Sequence, residues 1–400
     1  MKIAHVITGL SAHGAETMLY RFLSASNPRE YQHEVISLTD RGAMASKIES
    51  LGVPVRVLRM RPGIPNPLAI VKLARELRES RPDLVQTWMY HADLLGGLAA
   101  RLAGDLPVVW GIHHTRVDWR ETKFLTALTV RICARLSRRV PTAIVCCSKA
   151  SEEAHLELGY APEKMRVIAN GIDVQQFRPD PDAGVAVRKT LGIPGEAPVI
   201  GLAARFHPHK DHRTFFRAAG MLHKELPDVH FVLCGDGVTS ENSEIVAEID
   251  AAELHGNCHL LGAQADMRTN YAAWDIAANS SLSEAFPLAI GEAMACEVPC
   301  VVTQVGDCSA IVGDTGKVVP PQRPELMAQA WRELLESGVA VRRRLGTAAR
   351  ERVAKHYSLP ALVERYQSLY RAVMQEGRGL EAVSVVEREA STAGANAKSA

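Results

Sequence analysis

The sequence predicts an α/β fold made of two Rossmann-like doubly wound domains. Its 400 residues exceed one ordinary α/β core and suit two domains of roughly 150 to 200 residues each. In the first half, short β-branched segments alternate with helical patterns, which indicates parallel βαβ units. After a segment rich in Pro, Asp and Gly at residues 177–184, the same alternation starts again. We therefore interpret that segment as an interdomain linker.

The predicted elements follow this order in both halves. In the first half we predict strands at 3–7, 34–37, 55–58, 84–87 and 108–111, and helices at 15–24, 67–79, 93–102 and 119–139. In the second half we predict strands at 199–203, 229–234, 259–261, 276–278 and 299–303, and helices at 211–222, 287–295 and 359–374. The domains are expected at 1–180 and 185–358, with the last helix at 359–376 and a disordered tail at 377–400.

Composition excludes several classes of protein. The chain is 47% hydrophobic and 23% charged, and its 46 basic residues balance 45 acidic ones, so no net field attracts nucleic acid. The eight cysteines lack paired Cys-x2-Cys spacing, which favours reduced, buried thiols and no metal site. No apolar stretch reaches the roughly 18 residues that span a bilayer, and no signal-peptide cleavage region follows the first strand. We expect a cytoplasmic protein that meets a membrane only at its inner face.

Residues that follow strands are the candidates for ligand contact, because doubly wound sheets bind ligands at their carboxyl ends. After the first strand, Gly9 and Gly14 lead into a helix whose amides suit a phosphate, although a plain tight turn is the alternative. The segment lacks a full Gly-x-Gly-x-x-Gly pattern, which disfavours a dehydrogenase. His113 and His114 follow a strand and suit acid/base chemistry or hydrogen bonds to a hydroxyl, against a purely structural role.

The second half carries charged residues at corresponding places. Arg205 and Lys210 bracket the loop after the strand at 199–203 and suit a diphosphate, against a solvated surface loop. Glu284 lies in a loop after the strand at 276–278. Glu292 follows on a helix that begins near Pro287, whose free amides can hold phosphate oxygens while Glu292 accepts hydrogen bonds from ribose. Together they predict a sugar-diphosphate site.

These motifs, in this order, resemble retaining glycosyltransferase family 4, whose two-domain architecture is called GT-B. The resemblance covers nearly the whole ordered chain. It rests on Gly9, Gly14-Ala15-Glu16, Asn170-Gly171-Ile172-Asp173, Arg205, Lys210, Gly235-Asp236-Gly237, Leu261-Gly262, Glu284, Glu292 and Asp314-Thr315-Gly316. It also implies that the final helix crosses back to the first domain, with hinges near 178–184 and 355–360.

The resemblance further implies an activity and its residues. The donor is a UDP- or GDP-sugar, and the acceptor is a saccharide or a lipid-linked saccharide. The residues implied in catalysis are His113, His114 and Glu284. The residues implied in donor binding are Gly14, Arg205, Lys210, Gly235, Gly262, Phe286, Leu288 and Glu292. Such enzymes retain the anomeric configuration by a front-face route and need neither metal nor other cofactor, since cations and a helix dipole stabilise the departing diphosphate.

The sequence departs from the family pattern at two positions, and its first half contains one basic helix. Ala285 and Glu297 stand where the family has glycine, and Glu297 must tolerate a turn. The predicted helix 119–139 is basic and amphipathic, which suits an anionic membrane surface, against a core helix with a solvated basic face. The alternatives to a transferase are a non-catalytic nucleotide-sugar-binding protein and another GT-B enzyme, such as an epimerase or a phosphorylase.

Overall fold

The computed structural model describes residues 1–11, 14–61, 67–114 and 124–376. The strands of the first domain are β1 (Lys2–Ile7), β2 (Gln32–Ser37), β3 (Val55–Val57), β4 (Leu84–Trp88), β5 (Val108–Ile112), β6 (Ala143–Cys146) and β7 (Met165–Val167). Its helices are α1 (Gly14–Ala25), α2 (Met44–Ser50), α3 (Pro67–Ser80), α4 (Tyr90–Gly104), α5 (Phe124–Leu136) and α6 (Lys149–Glu157).

The second domain repeats this plan. Its strands are β8 (Val199–Ala203), β9 (His230–Cys234), β10 (Cys258–Leu260), β11 (Ile276–Asn279), β12 (Cys300–Thr303) and β13 (Lys317–Val319). Its helices are α7 (Pro181–Thr190), α8 (His212–Glu225), α9 (Ser243–Ala251), α10 (Arg268–Ala272), α11 (Leu288–Ala295), α12 (Cys308–Val312), α13 (Pro324–Glu336) and α14 (Val339–His356). The last helix is α15 (Leu359–Glu376).

Each domain is a parallel sheet covered by helices on both faces. The first sheet has the order β3-β2-β1-β4-β5-β6-β7, and the second has the order β10-β9-β8-β11-β12-β13. Every strand pair within these sheets is parallel. The central strands are buried on both faces, which is why they read as continuous apolar segments. The predicted fold class is confirmed.

The crossing helix joins the two domains. Ile172 pairs with Tyr357 through a backbone hydrogen bond of 2.7 Å, and Leu359 donates back to Ile172 over 3.0 Å. From there α15 returns to the first domain, where Tyr366 and Tyr370 lie in the same apolar cluster as Phe22 of α1. The predicted return of this helix is therefore present, and it buries both tyrosines almost completely.

Most predicted boundaries differ from the observed ones by a few residues, and two of these differences have a clear local cause. Residues 181–184, which we expected within the linker, form the first turn of α7, because Asp180 caps the helix and Pro181 occupies its first position. Helix α11 begins at Leu288 rather than Pro287, which adopts an extended conformation just before it. Residues 119–123 of the predicted basic helix and the predicted tail at 377–400 lie outside the described residues. No helix in the described ranges is both long and apolar enough to span a bilayer.

Candidate functional site

Each sheet has one point where the chain reverses its direction of winding. In the first sheet it lies between β1 and β4, and in the second between β8 and β11. Neighbouring strands there send their connections to opposite faces, which opens a crevice at their carboxyl ends. The two crevices are called here the first and the second crevice, after their domains.

The second crevice is organised around Glu284. Its Oε1 accepts hydrogen bonds from Lys210 Nζ at 2.5 Å, from Ser281 Oγ at 2.7 Å and from Asn279 Nδ2 at 3.2 Å. The carboxylate is largely shielded, since its side chain is 9% exposed, whereas that of Lys210 is 25% exposed. Because one oxygen takes all three bonds, Oε2 keeps its capacity to accept a ligand hydroxyl.

Polar residues beneath Glu284 hold it in place. Asn279 and Ser281 are buried at the end of β11, and Thr303 Oγ1 donates to Asn279 Oδ1 over 3.1 Å. Ser280 Oγ donates to the carbonyl oxygen of Lys210 over 2.9 Å, which ties the two loops of the crevice together. These supporting residues are not among the site residues predicted from the sequence. Their signal was three consecutive polar residues at the end of an otherwise apolar strand.

Neighbouring loops place Arg205 at the rim of the crevice. Gly235 has a φ of 154°, and a Cβ there would lie 2.1 Å from the carbonyl oxygen of Ala204. Its amide donates to the carbonyl oxygen of Gly262 over 2.8 Å. Both glycines thus let the loops after three adjacent strands close together. Arg205 itself is exposed and projects from this assembly.

The segment before α11 approaches the same crevice. The Phe286 side chain is buried in the core and contacts Tyr357, with ring centroids 5.5 Å apart, so only its backbone is left for a ligand. Leu288 is partly buried between the apolar clusters of the two domains. Gly306 permits this approach, since a Cβ there would lie 1.9 Å from the carbonyl oxygen of Glu284.

Glu292 lies farther along α11 and is already engaged by protein groups. Its Oε1 accepts from Arg21 Nη2 of α1 at 2.6 Å, and its Oε2 accepts from the Tyr271 hydroxyl at 3.1 Å. The residue is only 8% exposed. Glu292 therefore connects the two domains in addition to the role that the sequence predicted for it.

The first crevice carries a strained residue that the sequence analysis did not identify. Met89 follows β4 with φ 77° and ψ 155°, a region that non-glycine residues rarely adopt. Its amide donates to the carbonyl oxygen of Gly111 over 2.8 Å, and its side chain is half-buried. On the other side of the crevice Gly14 begins α1, exposed, with no described atom within 4 Å of the Cβ position.

The two candidate histidines occupy different positions beside this crevice. His114 stacks on Tyr90 with ring centroids 5.9 Å apart, and its pKa is lowered first by burial and then by the positive charge of Arg205. His113 stacks on Trp88 with ring centroids 4.9 Å apart, and burial lowers its pKa to about 3. The amides of Lys149 and Ala150, just after β6, donate to Asp307, just after β12, so the carboxyl ends of the two sheets face each other.

A buried carboxyl group supports the first crevice from below. Asp93 Oδ1 accepts from Thr87 Oγ1 at 2.5 Å and from the amide of Gly111 at 3.2 Å, whereas Oδ2 has no partner among the described residues. Burial raises the pKa of Asp93 from its ordinary 3.8 to about 8, so the group is a neutral acid at pH 7. It joins β4, β5 and α4 directly beneath Met89 and His113.

Models of known protein families match both halves of the chain. The family model described as Glycosyltransferase Family 4 matches residues 12–176, and that described as Glycosyl transferases group 1 matches residues 197–337. The boundary between the two matches falls near the start of the second domain. Both domains are therefore recognised independently.

The chain is also similar to individual glycosyltransferases and to solved structures. The chain is 29% identical to an Escherichia coli UDP-Gal:alpha-D-GlcNAc-diphosphoundecaprenol alpha-1,3-galactosyltransferase over 247 residues, covering 61% of this chain and 63% of that protein. It is 24% identical to a Campylobacter jejuni N,N'-diacetylbacillosaminyl-diphospho-undecaprenol alpha-1,3-N-acetylgalactosaminyltransferase, covering 92% and 98%. The crystal structure of Anabaena Alr3699/HepE in complex with UDP superposes with a TM-score of 0.82 at 23% identity, covering 93% and 100%.

The fold, the family matches and the structural likeness lead to one conclusion. The chain has two parallel α/β domains with facing crevices, both halves match the family models, and the likeness to a solved structure covers 93% of the chain. The chain belongs to glycosyltransferase family 4 and is a glycosyltransferase of the GT-B fold.

Proposed function

We propose that this glycosyltransferase moves a sugar from a UDP- or GDP-sugar to a hydroxyl of a saccharide or lipid-linked saccharide, with retention of the anomeric configuration. The observation that carries the proposal is the second crevice, where Lys210 and Glu284 are held 2.5 Å apart by buried polar residues. A cation beside a carboxylate with one free oxygen suits a sugar diphosphate, since the cation binds phosphate and the carboxylate binds sugar hydroxyls.

The donor is bound mainly by the second domain. Lys210 and the exposed Arg205 bind the diphosphate, together with the free amides that precede α11. Glu284 accepts a hydroxyl of the donor sugar, and Glu292 accepts from the ribose. Lys210, Arg205 and the amides before α11 stabilise the negative charge that develops as the diphosphate departs, so the reaction proceeds without a metal ion.

The reaction follows a front-face route. The bond from the anomeric carbon to the diphosphate oxygen breaks, and the acceptor oxygen bonds to the same face of that carbon. The acceptor proton moves to the departing diphosphate oxygen. A histidine base fits less well, because the pKa of His113 is about 3 and that of His114 is lowered. These histidines orient the acceptor hydroxyl by hydrogen bonds.

The acceptor occupies the first crevice, beside Met89 and His114. Both relatives named above transfer a sugar to a saccharide on an undecaprenyl diphosphate. A lipid-linked acceptor of this kind, in the synthesis of cell-surface polysaccharide or glycolipid, is therefore the acceptor that we propose. It requires the cleft to lie close to a membrane surface.

Helix α5 supplies a surface for that contact. Phe124 is 77% exposed and Leu128 is 41% exposed. At helical spacing, the exposed Arg131, Arg135 and Arg138 continue along the same face toward the end of α5 and the residues that follow it. Apolar side chains followed by arginines suit insertion beside anionic headgroups. We propose that this face rests on the inner surface of the cell membrane.

A screen of nucleotides and nucleotide sugars tests the donor proposal. We expect UDP or GDP and their sugars to raise the melting temperature by mass action, and labelled donor to give a labelled lipid-linked product. Binding without transfer to any acceptor would instead favour a non-catalytic binding protein. Product analysis by NMR tests retention, and an inverted anomer would contradict the front-face route.

Vesicle flotation tests the membrane face. Wild type should float with phosphatidylglycerol vesicles, and the R135E/R138E variant should lose most of this binding. The R343E/R344E variant is the matched control, because it makes the same charge change at exposed arginines of α14. Equal binding by the α5 variant and the control would refute the proposed face.

A further inference from the structure

The ion pair between Arg21 and Glu292 has an unused donor at its centre. Arg21 Nη2 donates to Glu292 Oε1 at 2.6 Å, and the guanidinium carbon lies 5.6 Å from the centroid of the Phe177 ring. The side chains of Arg21 and Glu292 are only 13% and 11% exposed. Yet Arg21 Nη1 is buried without a hydrogen-bond partner among the described residues.

Such a donor is unfavourable unless something completes it. A buried N–H without an acceptor loses its bond to water and gains none in return. The carboxylate of Glu292 has about four lone-pair positions, of which Arg21 and Tyr271 use two. Arg21 Nη1 can therefore still donate up to two hydrogen bonds, and Glu292 can still accept two.

A second contact between the domains, made by Asp307, differs from the Arg21–Glu292 pair in its hydrogen bonds. Asp307 Oδ2 accepts from the amide of Lys149 at 3.0 Å, and its Oδ1 accepts from the amide of Ala150 at 3.2 Å. In that contact each carboxylate oxygen accepts a hydrogen bond from one amide of α6, so both oxygens and both amides have a partner. A contact that only joined the domains would have this form. The unused Nη1 of Arg21 indicates a ligand instead.

We propose that Arg21 is a specificity-determining residue for the donor, and that its Nη1 donates to a ribose hydroxyl whose proton is accepted by Glu292. This inference rests on the proposed function, in which Glu292 binds ribose. A vicinal diol suits the pair, because each hydroxyl both donates and accepts. The contact opens to admit the nucleotide, and the ribose is then bound by both domains.

Titration calorimetry with a nucleotide and its 2′-deoxy form tests the proposal. The probe is UDP or GDP, whichever stabilises the wild type, beside 2′-deoxy-UDP or 2′-deoxy-GDP. One lost hydrogen bond to a charged group should weaken wild-type binding about tenfold. In R21A the nucleotide should bind more weakly, and the preference for ribose should fall toward one.

Two further variants make the result specific. R21K keeps the charge but has one donor nitrogen, so it cannot bind Glu292 with one nitrogen and ribose with another, and it should also lose most of the preference for ribose. It also carries the test if R21A does not fold. D307N weakens the other contact between the domains, and it should change the affinities for both nucleotides equally.

The outcomes separate the two proposals. If the wild type binds neither UDP nor GDP, the proposed donor class is wrong. If the wild type binds a nucleotide and the Arg21 variants keep the full preference for ribose, Arg21 only joins the domains and this inference alone is overturned.

Discussion

The two crevices of this enzyme have the same topology and opposite chemistry. In the second, Lys210 and Glu284 are charged partners surrounded by hydrogen-bonding side chains. In the first, Met89 is strained, His113 is kept neutral by burial and Asp93 is a neutral acid beneath them. Equivalent positions in two similar sheets therefore carry side chains of different charge and hydrogen-bonding character.

The difference teaches how one fold can divide its substrates. A diphosphate needs cations fixed before it arrives, because preorganised charges need not reorient during the reaction. An acceptor hydroxyl needs neutral hydrogen-bonding groups and an accessible surface. Charge changes should therefore affect the second crevice most, and changes of strain or protonation should affect the first.

The largest expected effect is the loss of the cation in the second crevice. Lys210→Ala should lower kcat/KM by roughly 10²- to 10³-fold, because it removes charge stabilisation of the leaving group and leaves Glu284 unpaired. Steady-state kinetics with the labelled donor measures this. Lys224→Ala, at an exposed position near the end of α8, is the control and should be neutral. Similar kinetics for both variants would remove the charged crevice from the mechanism.

The next effect concerns Asp93 and pH. The folded protein holds a proton up to about pH 8, whereas the unfolded chain releases it near 3.8. Wild-type stability therefore falls as pH rises through this window, by up to about 1.4 kcal/mol for each pH unit. Asp93→Asn lacks this contribution. In urea unfolding from pH 5 to 9, the free energy of unfolding of the variant should rise relative to that of wild type up to about pH 8 and then stay level. A constant difference would show that Asp93 is ionised in the fold.

A smaller effect should separate strain from stability in the first crevice. Met89→Gly relieves the backbone at φ 77° and should stabilise the fold by about 1 to 3 kcal/mol. It also removes a side chain beside the acceptor, so the acceptor KM should rise while the donor KM stays constant. Asp105→Gly, at φ 59° on the far end of α4, relieves strain without touching the crevice. An unchanged acceptor KM in Met89→Gly would place the acceptor elsewhere.

The smallest effect lies outside both crevices. Glu297 adopts φ 63° at the position where the family has glycine. Glu297→Gly should raise the free energy of unfolding by about 1 kcal/mol, because the left-handed conformation is unfavourable for a residue with a Cβ. Thermal melting and kinetics measure this together. Activity should not change, and a loss of activity would connect this turn to α11 and the donor crevice.

Much of the fold could be predicted because it depends on local patterns. Apolar strands such as 199–203 and the amphipathic helix 359–374 carry their periodicity in consecutive residues. Residues after those strands, including Arg205, Lys210 and His114, were predicted as site residues by the same reasoning. The residues that the sequence did not identify depend instead on tertiary contacts and backbone conformation. Asn279 and Ser281 matter because they are buried against Glu284, and Met89 matters because of its backbone angles.

The sequence by itself determined two Rossmann-like domains and the family, and it predicted the charged residues that the structure brings together in the second crevice. Only the tertiary structure decided that His114 stacks on Tyr90 while His113 stacks on Trp88, and that Arg21 of one domain pairs with Glu292 of the other. The physical reason is that hydrogen bonds and ion pairs act over a few ångströms in space. Arg21 and Glu292 are 271 residues apart in the chain, and no local pattern encodes such a contact.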